Sequence, residues 1–183
     1  MSDAGAPEEI LARIEQLLRD REPVLVAIDG RGGAGKTHLA DRLAAAFGGW
    51  VVHIDDFGRP GYPYDEWDWD RLRDDVIRPL RDGRVARYQR YDWRDDRLAE
   101  WHEVAPAGVV IVEGVSSTRE RLGHPWDVTV WVEAPRELRL DRGVARDGEA
   151  MRATWVEEWM PQEDRYVERE HPRDRADFVV RGY

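Results

Sequence analysis

The segment GRGGAGKT, residues 30–37, constrains this chain more than any other, because it fits G-x-x-x-x-G-K-[ST] at every specified position. Glycines there let the backbone curl until several N–H groups point at one phosphate, and the N-terminus of the following helix adds its positive end. Lys36 places a point charge on the β- and γ-phosphates, and Thr37 offers a hydroxyl to Mg²⁺. Lys36 is also the only lysine among 28 basic residues. The planar guanidinium fork of Arg does not fit inside so tight a loop, so Lys is kept where Arg serves elsewhere. Gly30 and the run Gly32, Gly33, Ala34, Gly35, Lys36, Thr37 and His38 form the expected nucleotide-binding set. The implied cofactors are ATP and Mg²⁺.

The flanking pattern supplies the context such a loop needs. Residues 24–28 are a continuous apolar run, as in a strand buried on both faces, and residues 37–47 read as a helix stopped by Gly48-Gly49. Further short apolar runs occupy 51–54, 109–112 and 128–132, with a last one at 178–180. Helical patterns fill 7–20, 68–80, 136–146 and 154–170. Strands alternating with helices predict a three-layer α/β P-loop fold, a five-stranded parallel sheet with helices on both faces. The 183 residues fit one domain over 1–183, with a small Arg-rich lid at about 136–150.

Composition narrows the function classes. A net charge of −10 disfavours a nucleic-acid polymer as partner. With no Cys there is no disulfide framework and no thiolate metal site. The start, MSDAGAPEEI, shows no secretory signal pattern, and no apolar run approaches the roughly 18 residues of a membrane span, so the expected location is cytoplasmic and off the membrane. A chain without Asn cannot carry the Asn-Lys-x-Asp guanine motif of switch GTPases. A small-molecule kinase fits best.

Several residues carry chemistry of the right kind. Asp55 and Asp56 follow an apolar strand, where ligands bind in open α/β sheets, and one of the two suits proton abstraction from a hydroxyl. Glu113 ends VVIVE and has the form of a metal-binding Walker-B-like acid. Arg136, Arg139, Arg142 and Arg146 share one helical face, which could bring positive charge to the γ-phosphate. Trp67, Trp69, Tyr91 and Trp93 lie in charged surroundings and could stack on a planar acceptor or pack beneath a loop. His53 reads as a packed or surface histidine.

The chain resembles the uridine kinase family, in the group that also holds phosphoribulokinase and bacterial pantothenate kinase. The likeness rests on AIDGRGGAGKT, VVHIDDFGRP, YDW at 91–93, VVIVEGV at 109–115 and RADFVVRG near the end. It implies Asp55 as the carboxylate that activates the acceptor hydroxyl and as a metal neighbour, with Thr37 and Glu113 on the Mg²⁺ side. It implies Asp56, Asp65, Tyr91 and Trp93 around the acceptor, and Arg142 and Arg146 over the phosphates. The chain departs from the family pattern at Gly58-Arg59, where Tyr usually follows the Phe, and Asp65-Glu66-Trp67-Asp68-Trp69 only loosely echoes the ribose-contacting segment. The expected partner is a small-molecule acceptor, a nucleoside first, with a pantothenate-like or sugar acceptor, or a nucleotide-binding regulator without turnover, as alternatives. Homo-oligomerisation stays open.

Overall fold

The computed structural model describes residues 6–59 and 67–182. Helix α1 (Ala6–Leu18) leads into β1 (Val24–Gly30), the phosphate loop and α2 (Lys36–Phe47). Strand β2 (Trp50–His53) ends in a 3₁₀ turn, Ile54–Phe57. A helical stretch over residues 69–81, α3, contains a π-helical segment, Leu72–Ile77. Then come β3 (Ala86–Asp92), β4 (Arg97–Val104), β5 (Val109–Glu113) and β6 (Val128–Glu133). Helix α4 (Arg136–Asp147), short turns through a π-helical one at Trp155–Trp159, α5 (Met160–Glu170), α6 (Pro172–Arg175) and β7 (Phe178–Arg181) complete the order.

Five strands form one parallel sheet in the order β2-β5-β1-β6-β7. Every residue of β1 and β5 is buried, which is why their sequences are continuous apolar runs rather than alternating ones. The strand period of two still sorts their side chains. Val24, Val26 and Ile28 face one core with Ile10 and Ile14 of α1 and Leu39 and Leu43 of α2. Leu25, with Val110 and Val112 of β5, faces a second core with Leu72, Val76 and Leu80 of α3. Helices therefore cover both faces, and the three-layer expectation holds.

The expected strands and helices are present, with the short helix Pro172–Arg175 and a hairpin added. Strands β3 and β4 form an antiparallel hairpin, separate from the main sheet, over residues to which the sequence patterns assign no element. Its inner face contributes Ala86, Tyr88 and Val104 to the second core. Its pairing register shifts between Gln89 and Tyr91, so apolar alternation is broken there.

Candidate functional site

The carboxyl ends of β1, β2 and β5 converge because β5 lies between the other two. Gly32, Gly33, Gly35, Lys36 and Thr37 form the floor of a cleft. Asp55, Glu113, Gly114 and Val115 form one wall, and Arg142, Gly143, Arg146 and Trp155 the other. Gly35 enters α2 at φ 101°, a left-handed conformation that glycine adopts without steric cost. Lys36 is buried, and its Nζ donates to the Arg31 carbonyl at 3.0 Å, inside the curl of the loop. His38 lies on the outer side of α2, in a shallow pocket with Arg42, Arg181 and Gly182, and Ala34 is fully buried beneath the loop.

Glu113 gathers the metal-side groups. Its Oε1 accepts from Thr37 Oγ1 at 3.2 Å and lies 2.7 Å from His53 Nδ1. Burial alone would raise the Glu113 pKa, but the bond to His53 and the charge of Lys36 together hold it below its ordinary value. The same bond raises His53, against an opposing effect of burial. His53 therefore belongs to the site, which the sequence reading missed. Its position inside the apolar run 51–54, two residues before Asp55, was the available signal.

The two aspartates separate. Asp55 opens into the cleft. The protein packed around its carboxyl raises its pKa, Glu113 raises it further, and Lys36 and Arg146 oppose the shift. Asp56 is buried and turned toward the hairpin, where it accepts from Tyr88 Oη at 3.2 Å. Burial raises its pKa. Of the two, Asp55 is the one that lines the cleft.

Tyr91 is also committed elsewhere. It is buried, its hydroxyl donates to Asp96, and its ring packs on Gly58, where an added Cβ would lie 2.3 Å from a ring carbon. This is the physical reason for Gly at 58: the aromatic ring occupies the space of a side chain. Trp93 is 46% exposed, stands edge-on to Tyr91 and Trp67, and donates from Nε1 to the Asp55 carbonyl at 2.9 Å. The aromatic pair thus braces the turn that carries Asp55. Asp65 lies outside the described residues.

The arginine face splits as well. Arg142 and Arg146 reach the cleft, and Arg142 donates to the Gly33 carbonyl at 3.3 Å. Arg139 is buried against Glu163 and the Ala134 carbonyl, and Arg136 pairs with Asp164. The ring of Trp155 fills the space between α4 and the phosphate loop. An added Cβ would meet it at 2.4 Å from Gly143 and at 2.8 Å from Gly32.

Asp29, next to the loop, is a second residue that the sequence reading passed over. Its carboxylate accepts from Gly30 N, Ser116 N, Thr118 N, Thr118 Oγ1 and Tyr166 Oη at 2.5–3.0 Å. It ties the end of β1 to the loop after β5. An acid inside an otherwise apolar strand run was its only signature.

This sheet order, loop and pair of strand-end acids define a P-loop protein with a kinase fold. A family model described as an AAA domain matches residues 26–171, and the chain belongs to that family. Its fold is similar to that of a candidate uridine kinase from Bacillus stearothermophilus, at 22% identity and a TM-score of 0.68, covering 94% of this chain and 99% of that one. It is also similar to a candidate fructose transport system kinase from Silicibacter sp. TM1040, at 22% identity and a TM-score of 0.66, covering 98% of each chain.

Proposed function

We propose that the chain is an ATP- and Mg²⁺-dependent kinase that transfers the γ-phosphoryl group to a hydroxyl of a small molecule, working as one domain with residues 136–150 as its lid. The observation that carries this reading is the meeting of Lys36, Asp55, Glu113 and Arg146 on a single cleft above the phosphate loop. Loop amides and Lys36 cradle the phosphates of the donor. Thr37 and Glu113, with Asp55 beside them, are hard oxygen donors that suit Mg²⁺, which usually takes one or two carboxylates and fills its shell with phosphate and water. When bound, the ion neutralises charge on the β- and γ-phosphates.

Asp55, open to the cleft beside Lys36 and Arg146, accepts the proton of the attacking hydroxyl. Arg142 and Arg146 supply positive charge where the transferring group spreads its negative charge. Trp155, which lines the cleft, keeps water from the γ-phosphate side. Asp56 and Tyr91 act one step back, by holding the hairpin against the turn that bears Asp55.

A nucleoside acceptor follows from the uridine kinase-like pattern. A sugar-like acceptor is the second reading, because Tyr91 is buried, which leaves Trp93 as the exposed ring of the pair for a planar base. A cytoplasmic location suits either substrate, and among the described residues no helix is long and apolar enough to cross a membrane. The test is ADP release with Mg²⁺-ATP across nucleosides, sugars and pantothenate. Stimulation by a single class identifies the acceptor. Tight ATP binding with no stimulation by any of them would favour a regulatory protein.

A further inference from the structure

Glu163 is a buried carboxylate at the phosphate loop to which the transfer chemistry assigns no part. It stands on α5 and is 2% exposed. Its Oε1 accepts the Gly32 amide at 2.9 Å, and its Oε2 accepts from Arg139 at 3.3 Å. A Cβ on Gly32 would lie 2.6 Å from Oε1, so the missing side chain at 32 is what lets the carboxylate approach. Burial raises the Glu163 pKa, and the charge of Lys36, the Gly32 amide and Arg139 oppose that shift and favour the carboxylate. Gly32 and Lys36 both line the cleft. A buried carboxylate thus holds one amide of the loop and pairs with Arg139, directly behind the cleft that Gly32 and Lys36 line.

We propose that Glu163 is a resident counter-anion of the phosphate loop, one that keeps the loop and its cations in place and lowers their affinity for the phosphates of a nucleotide. The inference rests on the kinase reading in that nucleotide phosphates enter this cleft. Phosphate oxygens brought beside a buried carboxylate meet repulsion that water screens poorly. The same repulsion loosens ADP after transfer and favours its release, a step that often limits turnover. A simple brace would behave in the opposite way, since its loss would loosen the loop and weaken binding. The neighbouring Asp164 provides a control. It pairs with Arg31 and Arg136 but keeps 37% of its side chain exposed, so its charge is screened.

The experiment is calorimetric titration of the full-length chain with Mg²⁺-ADP and, separately, with inorganic pyrophosphate. Glu163→Gln should bind both probes about three- to tenfold more tightly than the unmodified chain. Asp164→Asn should shift either by less than about twofold. A gain with pyrophosphate locates the effect at the phosphates rather than the base. Unchanged or weaker binding by folded Glu163→Gln overturns the proposal. Should the amide variant be unfolded at room temperature, the same titrations below its melting temperature carry the same expectation, because Gln still offers an oxygen to the Gly32 amide. Failure of the unmodified chain to bind either probe would remove the kinase reading itself, whereas binding without a gain in the variant removes only the counter-anion.

Discussion

His53 Nδ1 lies 2.7 Å from Glu113 Oε1, which joins the last residue of β2 to the last residue of β5 across the rim of the cleft. The two pKa values move apart, His53 upward and Glu113 downward. In the metal-free protein, the raised His53 stabilises fully below its ordinary 6.5 and loses that contribution as pH rises through the folded value. The lowered Glu113 stabilises fully above its ordinary 4.5 and loses it as pH falls through the folded value. Thermal melts of the unmodified chain and His53→Gln should therefore differ most between pH 4.5 and 6.5. The gap should close on the alkaline side. A gap that widens toward high pH would contradict the assignment.

Lys36→Ala should reduce phosphoryl transfer by about 10²-fold or more, because it removes charge from the phosphates at the moment of bond breaking. Lys36→Arg should lose nearly as much, since the buried Nζ already lies against the Arg31 carbonyl and leaves no room for a planar fork. ADP release in a coupled assay is the readout. Near-normal turnover in the Arg variant would refute the steric argument.

Asp55→Asn should lower kcat by about 10²–10⁴-fold while ATP still binds. Asp56→Ala should act on stability instead. It leaves the Tyr88 hydroxyl without its partner, at a cost of about 1–3 kcal/mol, with a far smaller effect on kcat. Equal losses of kcat in the two variants would return both carboxylates to the chemistry.

Neutralising Arg142 and Arg146 together should reduce kcat more than nucleotide affinity, because their charge is needed most in the transition state. Arg139→Gln should instead lower the melting temperature, since Arg139 is buried and paired with Glu163. Steady-state kinetics beside thermal melts separate the two outcomes.

Gly143→Ala introduces a methyl 2.4 Å from the Trp155 ring. Overpacking of this kind costs about 1–3 kcal/mol. Because the same ring touches Gly32, the strain should pass to the phosphate loop and weaken ATP binding as well. Fluorescence titration with a nucleotide, run beside a thermal melt, tests both. Unchanged ATP affinity in the folded variant would mean that the ring does not couple the lid helix to the loop.

What the sequence determined by itself is local and periodic. The apolar runs at 24–28 and 109–112 had to be strands buried on both faces, and GRGGAGKT had to join a strand to a helix because its spacing only makes sense in that context. Tertiary structure alone decided everything that depends on direction. Asp55 and Asp56 are adjacent and chemically identical, and only the turn after β2 and the hairpin beyond it send one to the cleft and the other to Tyr88. The hairpin escaped notice because Arg87, Gln89 and Arg90 crowd its first strand and a register shift breaks its alternation. The arginine face of α4 was legible as a face, but its division between cleft and core depended on where α5 placed Glu163 and Asp164. Those acids lie more than 130 residues from the loop they touch, as do Tyr166 and Asp29 from each other, and no local pattern encodes contacts at that separation.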